Sequence, residues 1–223
     1  MGHDLRGVPM TTAAASSLDF DGLTIEYDDR VLVPRPWTVR QSHWARELLA
    51  DVPEGPVLEL CSGVGHIGLA TVAGTGRMLV MVDRDEHAAE LSRRNAVQVA
   101  ETCEVRCAAL ETALGPQERF PMVLADPPWV PTAEVVRFPE DPVPAIDGGH
   151  DGLGPARACV RAGAAHLAPG GQMILQLGDA AQARRLEPAV EEFGLVVVDV
   201  REEPGGALVR LRRVEDGLVP GRT

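Results

Sequence analysis

Two short stretches combine residue types that ordinary strands and helices avoid. In "VLADPPWVP" an apolar run ends in Asp126, Pro127, Pro128 and Trp129. Consecutive prolines cannot donate to a sheet ladder or continue a helix, so a strand must stop there and leave a carboxylate and an aromatic ring on a stiff hinge. Asp126 and the Pro127 carbonyl can then accept N–H bonds, while Trp129 can stack on a planar group or attract a cation. In "ELCSGVGHIG", Glu59 and Cys61 precede Gly63 and Gly65, and an apolar helical run follows. Such a strand–glycine–helix junction lets a ligand approach the backbone beside free N–H groups. Asp83, at the end of "MLVMVD", is an acid at a second strand tip, where it can accept both hydrogen bonds of a ribose diol. Asp85 is placed to cap the following helix. Loop and acid together indicate a nucleoside ligand, and the glycine spacing favours a smaller adenosine compound over a dinucleotide.

The elements that must position these residues alternate. Strands are expected at 56–60, 78–83, 104–108, 121–126, 172–177, 195–201 and 207–213. Helices are expected near 65–73, 85–100, 155–167 and 180–193. This predicts an α/β fold, a Rossmann-like doubly wound sheet of seven mostly parallel strands, with an antiparallel strand contributed by the C-terminal hairpin. The antiparallel strand is expected to end the sheet. Before this core, "FDGLTIEYDDRVLVPRP" predicts a hairpin around Asp28–Asp29 that closes on Pro34, followed by a helix over 37–50. "PGG" reads as a turn before strand 172–177. The expected organisation is a lead at 1–17, a hairpin and helix packed on the core at 18–55, a ligand-binding domain at 56–214 and a tail at 215–223.

Composition narrows the partners. All 21 basic residues are arginine, set against 33 acids, for a formal charge of -12. Such a chain repels phosphate backbones, so no nucleic-acid partner is expected, and a small molecule or polypeptide fits better. The four cysteines lack zinc-site spacing and read as reduced thiols, so no metal is expected. No signal peptide or membrane span is evident, and a cytoplasmic location is expected. Oligomeric state is not encoded in any recognisable pattern.

"VLVPRPWT", "VLELCSGVGHIGLA", "VDRDEHAAELSRRNA", "ADPPWVP", "AIDGGHDGL" and "LAPGGQMILQLG" occur in an order that resembles the release-factor glutamine methyltransferases. More widely, they resemble class I S-adenosylmethionine-dependent methyltransferases that carry an Asn/Asp-Pro-Pro-aromatic motif. The resemblance covers about residues 18 to 213. It implies S-adenosyl-L-methionine as cofactor, contacted by Glu59, Cys61, Gly63, Gly65, Asp83, Arg84, Arg35, Thr38 and Asp126. It also implies an acceptor gripped by Asp126, Pro127 and Trp129, with His150 of "DGGHDGL" as a candidate base. His66 reads as a first-turn helix residue.

Departures from the family shape the expected acceptor. The family has Asn-Pro-Pro-Tyr, whose asparagine both donates to and accepts from a carboxamide. An ionised Asp126 only accepts, which suits an amine or amidine better than an amide. Ala109 stands where the family has an acid near the adenine, with Glu111 two residues on. A helical domain precedes the hairpin in the family, and only about seventeen residues precede it here. Transfer of methyl to a nitrogen of a small metabolite or peptide, in biosynthesis, is therefore the expected function. Protein glutamine methylation, nucleic-acid amino methylation and a non-catalytic S-adenosylmethionine-binding subunit are the alternatives.

Overall fold

The computed structural model describes residues 16–214, so most of the lead and all of the tail lie outside the described residues. The chain opens with an antiparallel hairpin of β1 (Ser16–Phe20) and β2 (Leu23–Tyr27). Its turn is Asp21–Gly22, with φ of 54° and 83°, and not the Asp28–Asp29 region expected from sequence. The reason is local, since Asp-Gly supplies both positive-φ positions of a two-residue hairpin turn. A 3-10 turn at Pro36–Thr38 then leads into α1 (Val39–Leu48).

The main sheet is built from β3 (Val57–Leu60), β4 (Leu79–Asp83), β5 (Cys103–Cys107), β6 (Phe120–Ala125), β7 (Leu167–Leu177), β8 (Leu195–Glu203) and β9 (Gly206–Arg213). Their spatial order is β5-β4-β3-β6-β7-β9-β8. The first five run parallel, whereas β9 pairs antiparallel with both β7 and β8. The antiparallel strand therefore lies inside the sheet and β8 forms the edge. Ala207, Leu208, Val209 and Leu211 of β9 are accordingly buried, whereas Val198 and Val200 of the edge strand β8 are each 37% exposed. The "PGG" segment is part of β7, which starts at Leu167 and pairs with β6 through a register shift between Phe120 and Met122.

Helices α2 (His66–Val72), α3 (Glu86–Asn95), α5 (Gly154–His166) and α6 (Ala180–Glu192) make the crossovers, and the short α4 (Val143–Ile146) interrupts the connection after β6. Strand residues alternate between two buried clusters. Val57, Leu79, Met81, Met122, Leu124 and Ile174 pack with Phe20, Ile25 and Trp44 on one face. Leu58, Leu60, Val80, Val123 and Leu175 pack under α5 and α6 on the other. Each large aliphatic side chain so buried contributes about 1.5–3 kcal/mol. This double-sided apolar core anchors the strand tips from which the functional loops project.

The hairpin is pinned to α3 by reciprocal amide bonds. Glu26 N–H donates to Asn95 Oδ1 at 2.8 Å, and Asn95 Nδ2 donates to the Glu26 carbonyl at 3.0 Å. Asp28, just past β2, is buried and accepts from Arg30 at 2.6 Å and from His87 at 2.8 Å. Burial acts to raise its pKa, but the bonds from Arg30 and His87 prevail and hold it at about 2. Segment 30–35, which walls the ligand cavity, is thus tied at its start.

Candidate active site

Strand order reverses between β3 and β6, and ligands bind in open α/β sheets at such a crevice. A cavity of about 770 Å³ opens there. One end is formed by Asp83, Arg84 and Asp85 after β4 with Ala108–Glu111 after β5. The middle is the loop Cys61–Val64, and the other end is Asp126, Pro128, Arg35, Thr38 and Pro142.

The loop after β3 is shaped by its own backbone. Cys61, Gly63 and Gly65 have φ of 55°, 52° and 82°. Gly65 N–H donates to the Ser62 carbonyl at 2.8 Å, and Ser62 N–H donates to the Val82 carbonyl at 3.1 Å. A Cβ on Gly63 would meet nothing within 4 Å, whereas one on Gly65 would lie 2.6 Å from Ser92 Oγ. Gly63 thus keeps the cavity wall bare, and Gly65 permits close packing of α2 on α3 without reaching the cavity.

Asp83 accepts from Gly63 N–H at 2.7 Å on Oδ2 and from Asp85 N–H at 2.9 Å on Oδ1. Each oxygen keeps a lone pair for a diol. Desolvation raises its pKa against those two backbone bonds. Asp85 caps α3 by accepting from Ala88 N–H at 2.8 Å, which leaves Asp83 for the ligand.

Glu59 lies beneath this loop, 2% exposed, with Oε2 unpaired among the described residues and directly against Gly68. Burial pushes its pKa up to about 8, with smaller contributions from Asp126 and Asp83. Asp126 is half-buried at the tip of β6 and accepts no hydrogen bond from another described residue. Desolvation pushes its pKa up to about 7. Asp83 and Asp126 therefore line one cavity with Glu59 buried beneath its loop, and Glu59 and Asp126 are held far above the usual carboxylate range. This donor set, with the bare Gly63 wall and the Asp83 carboxylate, fits S-adenosylmethionine, an adenosine carrying a sulfonium and an ammonium.

The cavity brings together Arg35, Thr38, Cys61, Gly63, Asp83, Arg84 and Asp126. Glu59, Gly65, Pro127, Trp129 and His150 do not stand on its wall. Trp129 packs with Val130, Val135 and Ile146, and its ring lies where a Cβ on Gly178 would be, 2.6 Å from Cε3. Pro128 is the residue of the turn that faces the cavity beside Asp126. His150 is exposed on a loop whose Asp151 pairs with Arg157 at 2.6 Å.

One contributor and one pairing were not legible in the sequence. His66 lines the cavity with Nε2 3.3 Å from Thr38 Oγ1, and burial pulls its pKa down to about 3, so the imidazole is neutral. Its place directly after the glycine loop was the available signal. Arg35 donates from Nη2 to both oxygens of Asp141 at 2.6 Å, bridging the α1 approach to the connection after β6. No local pattern marks that pairing across 106 residues. Ala109 and Leu110 line the far end together with Glu111.

Comparison with known proteins agrees with this layout. Residues 44–137 match the methyltransferase small domain family. The chain is 33% identical over 191 residues to the release factor glutamine methyltransferase of Bradyrhizobium diazoefficiens, covering 80% of this chain and 63% of that protein. It is 30% identical over 200 residues to the ribosomal protein uL3 glutamine methyltransferase of the same organism, covering 82% and 61%. The chain thus spans about three fifths of the length of the curated relatives it matches. Among solved structures, the hMettl16 catalytic domain bound to a MAT2A 3′UTR hairpin superposes with a TM-score of 0.68 at 15% identity, covering 89% of this chain and 78% of that one. A magnesium protoporphyrin IX methyltransferase from Synechocystis PCC 6803 with bound SAM superposes with a TM-score of 0.57 at 14% identity, covering 79% and 78%. These two likenesses concern the fold. The sheet order, the cavity at the switch point and the sequence similarity give this chain the class I methyltransferase fold, with a methyltransferase small domain match and a likeness over most of its own length to the release factor glutamine methyltransferases.

Proposed function

We propose that this protein transfers a methyl group from S-adenosylmethionine to the side-chain nitrogen of a glutamine in a polypeptide. When bound, S-adenosylmethionine supplies an electrophilic methyl carbon. The chain's own residues hold the two partners in line, which is where most of the rate enhancement of such a displacement arises. Asp83 would hold the ribose diol, Gly63 would admit the donor against the backbone, and Ala109 and Leu110 would flank the adenine.

The acceptor assignment rests on the similarity to glutamine methyltransferases, and the environment of Asp126 is compatible with it. The sequence alone suggests a carboxylate that can only accept, and on that ground a free amine of a metabolite or peptide is the better acceptor. Burial changes the chemistry, because a group with a pKa of about 7 is substantially protonated at neutral pH. The acid form donates through O–H and accepts through C=O, the same two-way match to a carboxamide that an asparagine makes. The names of the relatives, one a release factor and the other a ribosomal protein uL3 glutamine methyltransferase, support the same acceptor. A neutral His66 on the cavity wall adds no charge that would disfavour an amide.

Labelled cofactor incubated with the protein and a host lysate, followed by peptide mass spectrometry, tests this. Label on glutamine side-chain nitrogen is the expected outcome. Label confined to the small-molecule or nucleic-acid fraction would overturn it and return the acceptor to the readings drawn from composition.

A further inference from the structure

The Asp126–Trp129 turn lacks the usual means of holding itself, because Pro127 and Pro128 have no N–H to offer. Two buried carboxamides bracket it instead. Gln41 of α1 donates from Nε2 to the Ala125 carbonyl at 3.1 Å, and to the Ile174 carbonyl of β7 at 3.0 Å. Gln182 of α6 donates from Nε2 to the Trp129 carbonyl at 2.8 Å and accepts at Oε1 from Gly178 N–H at 2.8 Å. Their exposures are 0% and 4%, and neither borders the ligand cavity. Gln41 keeps its place although Oε1 is buried without a partner among the described residues. A methionine of similar length would avoid that orphan acceptor, so the two N–H bonds are what the position provides. The Gln182 junction is equally constrained, since a Cβ on Gly152 would lie 2.6 Å from the Trp129 carbonyl oxygen and 2.8 Å from Gln182 Nε2.

We propose that Gln41 and Gln182 are positioning residues for methyl transfer, two carboxamides that clamp the ends of the Asp126–Trp129 turn and so fix the Asp126 carboxyl against the acceptor. This rests on the reading of the turn as the acceptor grip. Neither glutamine touches a substrate, so both act through the turn. Fixing both ends matters because an error of about 1 Å in the aim of a nucleophile can cost on the order of a hundredfold in rate.

The test uses the full chain with Q182E and Q182M. The carboxyl group of Q182E keeps the bond from Gly178 but, when ionised, sets an oxygen against the Trp129 carbonyl, whereas the thioether of Q182M loses both bonds. Turnover should fall about 10- to 100-fold in both variants, while affinity for S-adenosylhomocysteine stays within about twofold, a split that a general loss of structure would not give. Q182E should regain turnover at acid pH, where its carboxyl can again donate, and Q182M should not. Independently of any acceptor, 5-fluorotryptophan labelling gives one ¹⁹F signal for each of the three tryptophans, with Trp129 assigned by W129F. That signal should shift or broaden in both variants. An unmoved Trp129 signal with wild-type turnover overturns the proposal, as does loss of turnover and cofactor affinity together in Q182E. If the wild type methylates no polypeptide glutamine, the acceptor reading fails, and the ¹⁹F signal still decides whether Gln182 holds the turn.

Discussion

The loop Cys61–Gly65 and the turn Asp126–Trp129 leave the tips of neighbouring strands and face the same cavity, yet they are held by opposite means. The first is closed by backbone bonds within itself and to the adjacent β4, through Ser62, Gly65 and the Asp83 carboxylate. The second has two prolines in place of donors and is fixed by side chains that arrive from α1 and α6, 84 and 53 residues away in sequence. A donor-binding loop can be self-contained because its ligand is constant. A turn held from outside can change the state of its side chains through burial while its backbone stays put.

Removing each carboxylate separates the two halves. Asp126→Ala is expected to give the largest effect, a loss of turnover of about a hundred- to a thousandfold with cofactor affinity nearly intact, because the lost contact matters chiefly in the aligned transition state. Its pH dependence sharpens the point. The acid form of Asp126 is populated below its pKa of about 7, so kcat/KM on an amide should fall as pH rises through that value. Asp126→Asn should retain activity and flatten that limb. A rate that instead rises through pH 7, with Asp126→Asn inactive, would mean that the carboxylate is the working form and that the acceptor is an N–H-rich amine.

On the donor side, Asp83→Ala removes the group proposed to accept from the ribose and is expected to cost about 1.5–3 kcal/mol of cofactor binding, on the order of ten- to a hundredfold in affinity. Calorimetric titration with S-adenosylhomocysteine measures it, and unchanged affinity in a folded variant would move the ribose site. Loss of turnover at saturating cofactor should be much smaller than for Asp126→Ala. Were the two variants to fail alike, the division of the cavity into donor and acceptor halves would be wrong.

The smallest expected effect concerns nucleic acid, which the hMettl16 complex binds on a similar fold. A formal charge of -12 predicts no tight association of this chain with RNA or DNA at physiological salt. A gel-shift series across salt checks it. Submicromolar binding that weakens steeply as salt rises would transfer the acceptor side to a base amine.

By itself the sequence determined the alternation of strands and helices, the glycine loop, the acid at the tip of β4 and the proline-stiffened strand end. These depend on local periodicity and on residues with unusual backbone freedom, and both are written within a few positions of one another. Tertiary structure decided the rest. It placed β9 inside the sheet, because the balance of burial between two hairpin strands depends on what packs over them. It set Trp129 against Gly178 and the Val130 cluster and left Pro128 on the cavity wall. It joined Gln41 and Gln182 to a turn far from either in sequence. It also pushed the Asp126 pKa up to about 7, since desolvation is a property of everything around a carboxyl group and of nothing in the residues beside it.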